Sequence, residues 1–313
     1  MRGALTLKPS YYEALKRLTL ELAGVNLGAD HAFLVETRLA GLAQSEGYAS
    51  LDVMIEELFN SGQTRLAVQV VSSLVERDMH FFRDPKSFDH LTETVLPKLY
   101  AARGGVGRIR VLSFACSSGQ EAYGVAMRTA ELKSELPNLK LDILGVDYPS
   151  QALDRARAGR YTHFEVQRGL PIQDLIMHFD RDREDWVIKK ELREKVEFKE
   201  MHLLSNLDSL GKFHVVMFRG ALTHYSAPAQ VRVLRGLANL VQEFGYLVLG
   251  TNETLNHINY GFDKIHGKTG LFRKREDIIE EPEPDPNIKV PTDRKTFERA
   301  KRRVHSLQKQ AKS

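Results

Sequence analysis

The stretch Arg110-Val-Leu-Ser-Phe-Ala-Cys-Ser-Ser-Gly-Gln-Glu-Ala-Tyr123 constrains this chain more than any other. An apolar run of strand character meets a turn of small residues, and a helix follows. About one helix later comes Leu141-Asp-Ile-Leu-Gly-Val-Asp147, a second apolar strand that ends in an acid. Strand, small-residue turn, helix, strand, acid is the order in which an open α/β sheet builds a nucleoside pocket. Small side chains let a ligand approach the backbone, and the acid accepts hydrogen bonds from a ribose diol. The turn has a single glycine, Gly119, and so lacks the three-glycine pattern that receives a pyrophosphate. S-adenosylmethionine, which has no pyrophosphate, suits it better than NAD. A buried turn with no ligand is the competing reading of the same residues.

Upstream, residues 8 to about 80 carry helical periodicity only. Tyr11, Leu15, Leu18 and Leu22 share a face that Gly24 ends. Val35, Leu39 and Leu42 mark a second helix. Ser50 is placed to cap a third, over Leu51, Met54, Ile55 and Leu58, and Leu66, Val70 and Leu74 mark a fourth. Downstream, strands over Ile109–Phe114, Leu141–Val146, Phe213–Phe218 and Tyr246–Leu249 alternate with helices over Gly119–Leu136, Ser150–Ala158 and Ala229–Glu243. Phe262–Ile265 and Gly270–Arg275 read as a closing hairpin. Such alternation implies a parallel α/β sheet with helices on both faces. With 313 residues, two domains are expected. The expected division is a helical domain over 1–85, an α/β domain over 86–278 with a small β insertion at 160–200, and an acidic Pro-rich linker with a basic tail over 279–313.

The net charge of +4 is unevenly spread. From Lys289 onward nine Lys and Arg face only Asp293 and Glu298, a surplus of +7 that leaves −3 for the rest. A body without basic excess argues against nucleic acid as a partner, because phosphate neutralisation dominates that affinity. The lone Cys116 excludes an internal disulfide and a cysteine-based zinc site. The histidines are scattered, so no metal site is expected. No stretch approaches the ~18 apolar residues of a membrane span, and the start shows no signal peptide, so a cytoplasmic location without membrane insertion is expected.

Four motifs in order resemble the CheR-type chemotaxis receptor methyltransferases, from about residue 10 to 275. His31-Ala-Phe-Leu-Val-Glu-Thr-Arg-Leu-Ala-Gly-Leu42 is similar to the family's second N-terminal helix. Phe81-Phe-Arg-Asp84 resembles its Phe-Phe-Arg-Glu/Asp signature. Ala115-Cys-Ser-Ser-Gly-Gln-Glu-Ala-Tyr123 resembles its Gly-Cys-Ser-Thr-Gly-Glu-Glu-Pro-Tyr loop. Asp147 with Ala152-Leu-Asp-Arg-Ala-Arg-Ala-Gly-Arg-Tyr161 resembles its Asp-Ile-Asp…Leu-x-x-Ala-Arg-x-Gly-x-Tyr segment. The resemblance implies a helical N-terminal domain joined to a class I S-adenosylmethionine-dependent methyltransferase (Rossmann-like) domain with a small inserted β subdomain. It implies methyl esterification of glutamate side chains on the cytoplasmic domain of a chemoreceptor, with S-adenosylhomocysteine as product. Arg83 would bind the cofactor carboxylate, Glu121 its ammonium, Asp147 the ribose hydroxyls, and His202 and Leu203 the adenine edge. Ala115, Ser117 and Gly119 would line the pocket floor, and Arg219, His224 and Tyr225 the methyl-transfer wall, with Arg219 also near the cofactor.

Several positions depart from the family pattern. Arg77 stands for Asn, Met79 for Thr, and His202 for Asn. Arg219-Gly-Ala-Leu-Thr-His-Tyr225 replaces Arg-Asn-Val-x-Ile-Tyr-Phe, which puts Gly220 in place of Asn and His224 in place of Tyr. These changes motivate an alternative, a non-catalytic module that binds the same cofactor for signalling. Against it stands the chemistry. A glutamate nucleophile with a pKa of about 4.3 is ionised at neutral pH, so transfer needs alignment rather than a general base.

Overall fold

The computed structural model describes residues 7–28, 31–61, 64–75, 79–105, 107–148, 151–255 and 261–275. Arg77, Pro149, Ser150, residues 276–278 and the linker and tail from 279 lie outside them. The described residues fall into two units. The first holds those up to 75 together with 224–230, and the second the remainder.

In the first unit, α1 (Pro9–Ala23) starts on a proline, whose missing N–H would have no partner there. It stops at Gly24, whose φ of 70° lets its N–H reach Leu20 O. α2 (Ala32–Ser45) follows. α3 (Leu51–Ser61) is capped by Ser50, whose Oγ accepts from Val53 N at 3.3 Å. With α4 (Thr64–Val75) these helices bury Leu15, Leu22, Leu39, Ile55 and Val70 in one core. Residues 224–226 run antiparallel to 24–26, through a Val25–Tyr225 bridge and the bonds Asn26 N to His224 O and Ser226 N to Gly24 O.

The second unit opens on α5 (Pro85–Asp89), a π-helical turn at His90–Val95 and α6 (Leu96–Ala101). Then come β1 (Gly107–Phe114), α7 (Gln120–Glu131), β2 (Leu139–Asp147) and α8 (Gln151–Ala158). An insertion follows: β3 (Arg160–Thr162), α9 (His163–Gln167), α10 (Ile172–His178), β4 (Phe179–Asp182), β5 (Asp185–Ile188) and α11 (Lys190–Arg193). The chain continues as β6 (Val196–Glu200), β7 (Phe213–Phe218), α12 (Ala227–Leu240), β8 (Val241–Leu249), β9 (Phe262–Lys264) and β10 (Leu271–Lys274). The main sheet has the order β6-β2-β1-β7-β8-β10-β9. Its first five strands are parallel, and β10 is antiparallel to both neighbours. Every residue of β7 is buried, as expected of a central strand covered on both faces. The chain runs outward from β1 through β2 to β6, then returns to β7 on the other side. Open sheets of this kind bind ligands outside the carboxyl ends of the strands at that reversal.

Several boundaries differ from those read in the sequence, among them the end of α7, at Glu131 rather than Leu136, and three more bear on the fold. β6 lies in the main sheet, parallel to β2, and only β3-β5-β4 form the inserted sheet. The alternation of Val196 and Phe198 (buried) with Glu197 (exposed) fits a sheet edge. Residues 79–85, assigned by sequence to the helical domain, lie in the second unit, because Phe81 packs edge-on to Tyr161 and Phe179, and Phe82 to Phe88. Helix α12 ends at Leu240, and β8 begins at once. The strand absorbs its polar start with Phe244 at a φ of 60° and a register shift against β7.

Candidate active site

The turn after β1 is tight. Ala115 N and Cys116 N both donate to Val146 O, at 2.7 and 3.1 Å, which pins the turn against the end of β2. Ala115, Ser117 and Gly119 all have positive φ, at 65°, 50° and 91°. Non-glycine residues rarely adopt that region, and strain of this sort gathers at ligand sites. At Gly119 a Cβ would stand 2.9 Å from Ala156 Cβ and 3.0 Å from Phe198 Cζ, so both conformation and space require glycine. Ser117 N donates to Asp147 Oδ2 at 2.5 Å and Tyr148 N to Asp147 Oδ1 at 2.7 Å. Asp147 thus holds the turn while sitting at the carboxyl end of β2. Tyr161 Oη donates to Ser118 O at 2.7 Å, tying the inserted sheet to the same turn.

Glu121, in the first turn of α7, is buried and accepts from Ser113 Oγ at 2.7 Å and from Arg219 Nη1 at 3.0 Å. Arg219 leaves the end of β7. It is 6% exposed, donates through Nη2 to Arg83 O, and lies over the Phe88 ring. Among the described residues its Nε, a buried donor, has no hydrogen-bond partner. Arg83 packs its guanidinium on Gly220, where a Cβ would lie 3.2 Å from Nη1. The glycine that replaces the family's Asn therefore opens the space that the arginine fills.

Asp84, beside Arg83, also has a left-handed backbone, with φ 54°. Its Oδ2 accepts from Thr251 N at 2.7 Å and Ser87 Oγ at 2.9 Å, and Thr251 Oγ1 bonds its Oδ1. Burial pushes its carboxyl up. The bonds from Thr251 and Ser87 and the charge of Arg219 outweigh that and hold it below the usual carboxylate range. On the other flank, the His202 ring lies 4.9 Å from the Tyr148 ring, and its Nδ1 accepts from Leu204 N at 3.2 Å, while Leu203 is buried. Burial, then the charge of Glu200, raises the Tyr148 phenol above its ordinary value.

Of the residues singled out in the sequence, the second unit brings together Arg83, Glu121 and Arg219 in one cluster, and Ala115, Ser117, Gly119 and Asp147 in another. His224 and Tyr225 belong to the first unit. There Tyr225 is buried, and the His224 side chain is exposed. Met79 is buried. Ser113, Tyr148, Asp84 as an anchor and Glu253 were not singled out. The only local signal was position: Ser113 ends β1, and Tyr148 follows Asp147.

Residues 77–271 match the family described as CheR methyltransferase, SAM binding domain. Chemotaxis protein methyltransferase 1 of Pseudomonas aeruginosa is 32% identical over 265 residues, covering 83% of this chain and 96% of that protein. The chain belongs to the CheR methyltransferase family. Chemotaxis protein methyltransferase Cher2 of Pseudomonas putida is also 32% identical, over 261 residues, covering 82% of this chain and 94% of that one. The Escherichia coli chemotaxis protein methyltransferase is 25% identical over 273 residues, covering 86% and 92%. With the sheet order above, this CheR-family chain has the class I methyltransferase fold. It is a methyltransferase of the chemotaxis type, and its cofactor is S-adenosylmethionine. The residues present fit that group: a buried guanidinium whose Nε has no partner among the described residues, a turn of small residues with left-handed backbone at Ala115, Ser117 and Gly119, and a carboxylate at the end of β2. Among the described residues no helix is long and apolar enough to cross a membrane.

Proposed function

We propose that this protein esterifies glutamate side chains on the cytoplasmic domain of a chemoreceptor. The observation that carries the proposal is the clustering of Arg83, Arg219 and Glu121 beyond the ends of β1 and β7. When bound, S-adenosylmethionine would supply an electrophilic sulfonium methyl for in-line attack by an ionised carboxylate, with the neutral thioether S-adenosylhomocysteine as the leaving group. The chain has to grip and align. Arg83 holds the cofactor carboxylate by charge-assisted hydrogen bonds, with Arg219 behind it bonded to Glu121 and to Arg83 O. Glu121 has lone pairs left on both oxygens for the ammonium. Asp147 accepts from the ribose hydroxyls, and His202 and Leu203 border the adenine. Ala115, Ser117 and Gly119 form the floor, where the backbone itself meets the ligand. Arg219, at the end of β7, stands on the methyl-transfer side. The substrate glutamate arrives ionised, so proximity and water exclusion are the means of catalysis.

Two measurements test this reading in sequence. Calorimetry with S-adenosylhomocysteine should show a single site, which Asp147→Ala weakens by about 1–3 kcal/mol. An unchanged affinity in the folded variant would reduce Asp147 to a structural anchor of the turn. Labelled methyl transferred to receptor cytoplasmic fragments should then leave as methanol in mild alkali, as a carboxyl ester does. Binding without any such release would favour a cofactor-binding signalling module, and alkali-stable label would mean another acceptor.

A further inference from the structure

We infer that Glu253 is a positioning residue, a buried carboxylate that fixes the turn carrying Arg219 by accepting two backbone hydrogen bonds from it and a third from its own loop. Glu253 is 7% exposed. Its Oε2 accepts from Gly220 N and from Gly250 N, both at 2.8 Å, and its Oε1 from Leu222 N at 2.9 Å. Gly220 and Leu222 follow the end of β7, where the strand ladder no longer supplies acceptors for their N–H groups. A buried N–H without a partner is costly, and a carboxylate that takes several at once is a strong anchor. Gly250 has to be small for this: a Cβ there would stand 2.9 Å from Glu253 Oε2.

The same short loop is fastened at its other end. Thr251, two residues before Glu253, donates its N–H and its hydroxyl to Asp84. Arg219 returns to Arg83 O and Asp84 O through Nη2. The bonds close a ring: Asp84 to Thr251, along the chain to Glu253, across to Gly220, and through Arg219 back to Arg83 and Asp84. The bonds of Glu253 to this turn go to its backbone, at Gly220 and Leu222. In-line transfer tolerates little displacement, and about 1 Å of misplacement costs roughly a hundredfold in rate. The consequence for turnover rests on the function proposed above, whereas the consequence for the turn does not.

The test uses the full chain with Glu253→Gln, which keeps the shape and presents an amide to donors that need an acceptor. Three readouts are taken: amide hydrogen exchange, S-adenosylhomocysteine affinity by calorimetry, and the rate of ester formation. Exchange over 219–223 should speed at least tenfold while that over 115–121 stays at the wild-type rate. The dissociation constant should rise about three- to tenfold and kcat fall by more than that. If Glu253→Gln does not fold, Glu253→Asp keeps the charge on a shorter arm and should give the same pattern in smaller degree. Exchange over 219–223 at the wild-type rate in a folded variant overturns the inference. So does faster exchange spread evenly over the sheet, which marks general destabilisation. If the wild type forms no ester, the proposed function fails. Exchange and affinity then decide Glu253 alone: local loosening with weaker binding upholds it, and either result without the other overturns it.

Discussion

Two turns leave the sheet side by side, one after β1 and one after β7, and they are held by different means. The first, Ala115 to Gly119, is held by neighbours within the β1–α7–β2 segment of the second unit: the end of β2, Asp147 and its own left-handed backbone. The second, Arg219 to Leu222, is held by Glu253, whose partners there are 33 and 31 residues away, and by Arg83 and Asp84, more than a hundred residues upstream. A side-chain bond joins them, from Arg219 to Glu121 in the first turn of α7, across 98 residues. The first turn is shaped mainly within the strand-turn-helix-strand segment, with Tyr161 as a tie from outside it. The second is an assembled one whose shape is set by buried charge.

The largest effect should come from breaking the bond between the turns. Arg219→Met leaves the Glu121 carboxylate buried without its cation, and such a loss costs about 3–5 kcal/mol. Urea unfolding at neutral pH measures it. Adding Glu121→Gln removes the stranded charge, so the double variant should be more stable than the sum of the single losses predicts. Strict additivity would mean that the pair does not couple the two turns.

The next effect compares the turns at their glycines. Gly119→Ala forces a Cβ into Ala156 and the Phe198 ring from a φ of 91°, at a combined cost of about 2–4 kcal/mol. Gly220→Ala meets only the end of the Arg83 side chain from a φ of 66°, and the flexible guanidinium can yield, which leaves about 1–2 kcal/mol. The order of the two losses in unfolding experiments is the prediction. A costlier Gly220→Ala would show that Arg83 is locked over the second turn as firmly as Phe198 is beside the first.

The same division explains what was legible in the sequence. The turn from Ala115 to Glu121, the acid at Asp147 and the parallel strands around them follow from local pattern, because residues close in sequence make the contacts that shape them. Ser50 could be read as a cap for a similar reason: it bonds three residues on. Glu253 and the Asp84–Thr251 link could not be read, since a lone acid in a polar stretch carries no mark of the backbone it will bind. Asp84 and Thr251 are 167 residues apart. The grouping of 224–230 with the N-terminal helices was hidden likewise, since its bonds are backbone pairs with 24–26 that no residue type announces. β6 was taken for part of the insertion because five residues of alternating burial look alike in either sheet.

The smallest effect lies at the far ends of the two strands that carry the turns. His214 in β7 accepts through Nδ1 from Arg110 N in β1 at 2.9 Å, so the ring must be neutral to serve. Burial, with the positive charges of Arg103 and Arg110, pushes its pKa down to about 4. In the unfolded chain it titrates near 6.5. Between those values the unfolded state binds the proton and the folded state does not, so stability falls as pH falls from about 6.5 towards 4. His90 and His178, also pushed down mainly by burial, add the same sign. At pH 7.5 the ring is neutral in both states and contributes no pH dependence, whereas at pH 5.5 its share of the loss is about 1 kcal/mol. His214→Asn keeps an acceptor for Arg110 N but cannot titrate. Its unfolding free energy should therefore change less between pH 7.5 and 5.5 than that of the wild type, by about that amount. Equal slopes would mean that the β1–β7 seam takes up a proton without strain, and that the two turns are held apart from the chemistry at the strands' other ends.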